Sequence, residues 1–286
     1  MARPGCWAGQ ARDRYRYDGT DRLQPGTLIP VAEEKLARRR DWVPVAQTWG
    51  RDPDDKEPWR RVATMPALAL NLVEQELIGT AAGLTVCALG VSDGMAPLAL
   101  AAMGARITVA DPSQSMLDML MIRARIIGVE LNFVQTELCD MAAISGESFE
   151  LAYAAQATRQ ISDIDRFYAE VHRVLSPGSR FIINEYHPVR RIWKQEPGHP
   201  RADCSYFDRR RRREDDELIP DPNAPGVSLG KFDFSWTVSD HFCALAAAGF
   251  RVLALEEIGD VRQKWEVPNL RGLPEQLVLA AERLTC

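Results

Sequence analysis

The chain has 286 residues, 46% of them hydrophobic and 26% charged, the balance of an ordinary globular protein. A formal net charge of -5 argues against a nucleic-acid binder, which needs a basic face. No apolar run approaches the ~18 residues of a membrane helix, and the start, MARPGCWAGQARDRYRYDG, lacks the apolar core of a signal peptide, so a cytoplasmic protein with no membrane partner is expected. Cys6, Cys87, Cys139, Cys204, Cys243 and Cys286 are scattered, with neither a CxxC pair nor a histidine at metal spacing. They read as reduced thiols, several of them buried, and no metal site is expected.

Residues 1–30 are rich in Arg, Gly, Tyr and Asp without periodicity and read as a loose arm; 31–40 has the composition of a short helix. Trp42, Trp49 and Trp59 lie in a Pro- and Asp-rich stretch, either as anchors on a domain surface or as a lid. The spacing of Leu68, Leu70, Leu72, Val73 and Leu77 predicts a helix over 65–78. Then comes the most informative stretch. Leu84–Leu89 is the short apolar run of a buried parallel strand, and Gly90-Val91-Ser92-Asp93-Gly94 is a turn that lets a ligand approach the backbone. Met95–Met103 has helix-forming composition and stops at Gly104. Ile107–Ala110 is a second strand, ending on Asp111, where a carboxylate can accept hydrogen bonds from a ribose diol.

Further strands are predicted at 131–136, 149–154, 180–185, 250–257 and 277–281. Helices are predicted at 112–127, with Ser113 as N-cap, at 162–175, capped by Ser162, and at 239–248. Strand–helix alternation at this spacing implies a parallel sheet covered on both faces, with ligands at its carboxyl edge. Residues 188–236 break the rhythm and read as an insertion over that edge. At the same edge lie His187, a residue that titrates near neutrality and serves either as a base or as a fixture of the turn before Pro188, and the run Gln156, Thr158, Arg159, Gln160. Arg159 is either an anchor for an anionic ligand or a surface arginine. Tyr206, Phe207, Phe232, Phe234 and Trp236 either build an apolar cap or pack the insertion.

Five segments in order resemble a class I S-adenosylmethionine-dependent methyltransferase: VCALGVSDG (86–94), TVADPSQSML (108–117), FVQTELCDM (133–141), RVLSPGSRFII (173–183) and DHFCALAAAGFRVLALEE (240–257). The resemblance covers about residues 60–285. It implies an α/β fold: a Rossmann-like seven-stranded sheet, mostly parallel with an antiparallel last strand, helices on both faces, and a cap insertion. It implies an N-terminal arm or lid at 1–60 and a methyltransferase domain at 61–286. It implies S-adenosyl-L-methionine as cofactor, bound by Gly90, Ser92, Gly94, Asp111, Pro112, Met116, Glu137, Leu138 and Gln156. A small-molecule acceptor is expected against Arg159, Tyr186, Tyr206 and Trp236, with His187 as catalytic base and no nucleic acid; a homodimer is compatible with it. Two positions depart from the family pattern: Ala88 stands where an acidic residue is usual, and Ser92 where the middle glycine is. These motivate a second reading, a non-catalytic or repurposed member. An RNA or protein methyltransferase is a weaker third, since the chain is acidic and lacks a basic domain. A nicotinamide-dependent oxidoreductase would want G-x-G-x-x-G, which the four-residue spacing of Gly90 and Gly94 does not match.

Overall fold

The computed structural model describes residues 57–194, 201–202, 204–212, 219–220, 228–229, 232–258, 273–274 and 276–285. The expected arm, the helix at 31–40, Trp42, Trp49, Cys6 and Cys286 lie outside these residues. Among the described residues Cys87 is buried, Cys139 and Cys204 are half-buried and Cys243 is exposed.

Seven strands, numbered here in chain order, make the main sheet: β1 Thr85–Leu89, β2 Arg106–Asp111, β3 Leu131–Gln135, β4 Phe149–Ala155, β5 Leu175–Tyr186, β6 Phe250–Ile258 and β7 Gln276–Arg283. Their spatial order is β6-β7-β5-β4-β1-β2-β3. β2, β1, β4 and β5 pair in parallel, as do β2 and β3, while β7 is antiparallel to both β5 and β6. The expected mixed Rossmann-like sheet is therefore present. Short two-stranded ribbons, such as 210–212 with 232–234, lie in the region between β5 and β6.

Among the described residues, five helices cover the sheet: α1 Leu72–Ile78, α2 Met95–Ala102, α3 Gln114–Ile127, α4 Ile164–Val174 and α5 Val238–Ala247. Side chains alternate between the faces. Phe181 and Ile183 join the core under α4 and α5, with Phe167, Tyr168, Val171 and Leu245. Ile182 joins the other core, under α1, α2 and α3, with Leu70, Leu98, Leu100 and Leu120. α4 shows why its sequence folds onto the sheet: Ile164, Phe167, Tyr168, Val171 and Val174 recur at helical spacing and are all buried. Each such side chain, fully buried, contributes about 1.5–3 kcal/mol.

Two boundaries differ from the sequence reading for local reasons. The helix expected from residue 65 begins only at Leu72. Asn71 halts it, its side chain accepting from Glu74 N while Glu74 accepts from Asn71 N, a capping box. The segment before it, with Pro66, makes two 3-10 turns. α4 is capped by Asp163 rather than Ser162. Ser113 caps α3 as expected.

The chain ahead of the sheet is fixed by Trp59. This ring is 6% exposed, with the Arg60 and Arg123 guanidinium carbons 4.6 and 5.4 Å from its centroid. Arg123 also donates to the Asp93 carbonyl at 2.7 Å, so the turn after β1 and the segment before α1 share one side chain.

Candidate active site

The carboxyl ends of β1, β2, β4 and β5 open into one cavity with about 680 Å³ of empty space, part of it continuous with solvent. Its wall is formed by Gly90, Ser92, Asp111, Pro112, Glu137, Leu138, Tyr186 and the run from Ala155 to Ile161 without Thr158.

Asp111 is the centre of its electrostatics. The carboxylate is 6% exposed. Oδ2 accepts from Val91 N at 2.7 Å and Oδ1 from Ser113 N at 2.8 Å. Burial pushes its pKa up to about 6; the two N–H bonds pull the other way, and Glu137 adds repulsion. A carboxylate offers about four lone-pair sites, so two remain for a ligand. The residue ties the turn after β1 to the start of α3 and still faces the cavity.

The turn itself is shaped by close approach. Gly90 has φ +80°, and a Cβ there would stand 3.6 Å from Ala157 Cβ and 3.8 Å from Leu138 Cδ1. Ser92, in the place of the family's middle glycine, has φ +54°, a left-handed conformation unusual for a side-chain-bearing residue. Gln156 on the opposite wall has the same φ, +54°. Two such residues facing one cavity hold local strain where a ligand would sit.

The wall from Gln156 to Ile161 is pinned at three points. Gln156 N donates to the Asn184 carbonyl at 2.8 Å. Thr158 N donates to Glu185 Oε1 at 2.7 Å. The Trp236 indole donates to the Ile161 carbonyl at 3.0 Å. Glu185 is 3% exposed; burial raises its pKa, opposed by the bond from Thr158 and the charge of Arg191. Beneath it, the Tyr168 hydroxyl and His241 Nδ1 meet at 2.6 Å, and burial drives the His241 pKa down to about 4, so the ring is neutral.

Of the residues singled out in the sequence, Gly90, Ser92, Asp111, Pro112, Glu137, Leu138, Gln156, Arg159, Gln160 and Tyr186 meet at this cavity, and Thr158 lies between them outside the lining. Gly94 and Met116 stand outside its lining. Gly94 lets α3 approach, since a Cβ there would lie 3.1 Å from Leu120 Cδ1, and Met116 is fully buried in the core under α3. Tyr206 accepts from Val238 N at 3.4 Å and packs on Phe207. Trp236 stands outside the lining, stacks on Phe234 and donates to the carbonyl of Ile161 in the cavity wall. His187 is 5% exposed. Its Nε2 lies 2.7 Å from Glu257 Oε1 and its Nδ1 accepts from Val189 N at 3.2 Å, so the ring caps the turn after β5. The sequence reading missed Ala155, Ala157 and Ile161, whose small or apolar side chains carry no chemical signal.

Residues 87–183, the stretch that contributes all of the cavity lining but Tyr186, match the family model described as a methyltransferase domain, and Tyr186 follows three residues on. Over that stretch the chain is similar to a methyltransferase domain. The chain is 28% identical over 131 residues to the methyltransferase phqN of Penicillium fellutanum, a match covering 46% of this chain and 32% of that protein. It is 25% identical over 101 residues to a ubiquinone biosynthesis O-methyltransferase of Rhizobium leguminosarum, covering 35% of this chain and 40% of that protein. The match thus spans about a third to two fifths of these relatives. The fold superposes on a solved S-adenosylmethionine-dependent methyltransferase from Listeria monocytogenes with a TM-score of 0.57 and 18% identity, covering 74% of this chain and 96% of that one. No described helix is long and apolar enough to cross a membrane.

Proposed function

We propose that the protein transfers a methyl group from S-adenosylmethionine to a small-molecule acceptor, an oxygen or nitrogen nucleophile. The observation that carries this reading is Asp111: a buried carboxylate at the end of β2, opposite the glycine turn, with lone pairs left for a diol. When bound, the cofactor supplies a methyl group on a sulfonium, which already contains a good leaving group. What the chain must add is position. Asp111 accepts the ribose hydroxyls, and Glu137 and Leu138 frame the adenine. Gly90 and Ser92 border the methionine part, and the pinned wall from Gln156 to Ile161 limits where an acceptor can stand. Holding two reactants in line supplies up to about 7–11 kcal/mol. In this scheme His187 serves as the anchor of the turn that follows β5. The relatives named above, one of them acting in ubiquinone biosynthesis, support a small-molecule acceptor.

Calorimetry with S-adenosylhomocysteine tests the reading. Micromolar binding is expected, weakened at least tenfold by Asp111→Ala. Equal binding by the variant removes the ribose assignment. A second reading, a repurposed member of the fold, draws on Ala88 and on the Ser92 side chain at the turn; a folded chain that binds no S-adenosylhomocysteine would favour it.

A further inference from the structure

The cavity is electrically divided. Asp111 and Glu137 give its β2–β3 end two carboxylates, and Arg159 gives its β4–β5 end a guanidinium. Asp111 and Glu137 are claimed by the sugar and base in the reading above, so the acceptor lies toward Arg159. The backbone on both sides of Arg159 is fixed: Thr158 N is bonded to the buried Glu185, and the Ile161 carbonyl to the Trp236 indole. A guanidinium on such a turn has little freedom left in its main chain. Tyr186, at the end of β5, lines the same part of the cavity. The Arg190 guanidinium carbon lies 4.5 Å from the Tyr186 ring centroid, a contact that holds the ring in place.

We infer that the methyl acceptor carries a carboxylate, gripped by Arg159, on a planar body that lies against Tyr186. The inference rests on the methyl-donor reading and adds the acceptor's charge and shape. A guanidinium presents its donors in a rigid fork that matches the two oxygens of a carboxylate, and a partly enclosed wall strengthens such a pair relative to open water. The same charge division sets orientation: a carboxylate turned toward Asp111 and Glu137 would meet two like charges, so the anionic end points away from the cofactor and the opposite end of the acceptor faces the methyl group. Side chains along the wall fit a flat molecule, since Ala155, Ala157 and Ile161 leave an apolar surface between the polar ends.

The test uses the full chain saturated with S-adenosylhomocysteine, whose neutral thioether removes the cofactor's own attraction for an anion. Two probes of the same shape, para-hydroxybenzoate and para-hydroxybenzamide, are titrated by calorimetry. The carboxylate is expected to bind at least tenfold more tightly than the amide, with the advantage shrinking as salt is added. Arg159→Gln should abolish the difference while leaving S-adenosylhomocysteine affinity unchanged, and Arg159→Lys should restore part of it, as a point charge in place of a fork. Equal affinity for the two probes, binding of neither, or a preference that survives Arg159→Gln would overturn the inference and leave the cofactor reading standing. Failure of the unaltered chain to bind S-adenosylhomocysteine would instead remove the cofactor reading, and this inference with it.

Discussion

Asp111 links structure to a measurable pH dependence. Its pKa is raised to about 6, so between roughly pH 4 and pH 6 the folded chain holds a proton that the unfolded chain has lost. Stability from this group therefore falls as pH rises through that window, and its ionised form above it is a cost of folding. Hydrogen bonding to a diol needs the ionised form. Affinity for S-adenosylhomocysteine, measured by calorimetry, should accordingly be full above pH 7 and decline about tenfold per unit once pH drops below the folded pKa. Flat affinity down to pH 5 would mean that this carboxylate does not hold the sugar. The place of Asp111, at the end of β2 and in the cavity wall, was legible in the sequence because strand, glycine turn, helix and strand follow one another without interruption. The conformation of Ser92 was not. A residue letter shows that a glycine is missing, whereas the left-handed φ at that place, and its twin at Gln156, depend on the walls that face each other across the cavity.

Among the elements, α1 depends most on a polar cluster that periodicity cannot reveal. Asn71 caps it, donates through Nδ2 to Gln276 Oε1 at 3.1 Å, and takes its place beside Glu74, whose Oε1 receives the Tyr153 hydroxyl at 2.5 Å. Glu74 is wholly buried. Asn71→Ala removes a cap worth about 1 kcal/mol and strips buried groups of partners at about 1–3 kcal/mol more. Urea unfolding should show a loss of roughly 2–4 kcal/mol with an unchanged slope; a loss within a few tenths would show that water replaces the amide. The capping pair Asn71-x-x-Glu74 was there to be read in the sequence, but the apolar residues around it made a longer helix look continuous. His187 illustrates the opposite difficulty. Its place at the carboxyl edge was legible, yet which way its ring faces is decided by Glu257 on β6, seventy residues away.

At the scale of the whole molecule, the sheet order puts β4 and β1 in the interior and β3 and β6 at the rims. Hydrogen exchange should follow that order. Amides of 86–89 and 151–154 are expected to be the slowest of all, and the outward-facing amides of β3 and β6 to exchange orders of magnitude faster. Uniform protection across the seven strands would contradict the assignment of the rims. Most of this architecture was readable in advance, because buried parallel strands are short apolar runs and their connections are regular helices. The region between β5 and β6 resisted: its ribbons are two or three residues long, and so brief a pairing leaves no period in the sequence. The order of assembly on the ribosome follows from β7. It wedges between β5 and β6, and six of its eight residues are buried, yet of the seven strands it is synthesised last. Until it emerges, β5 has one flank open and β6 has no neighbour to join, so the nascent chain waits with a gap in its sheet, and a stop codon just ahead of residue 276 would cost the protein its interior, not its tail.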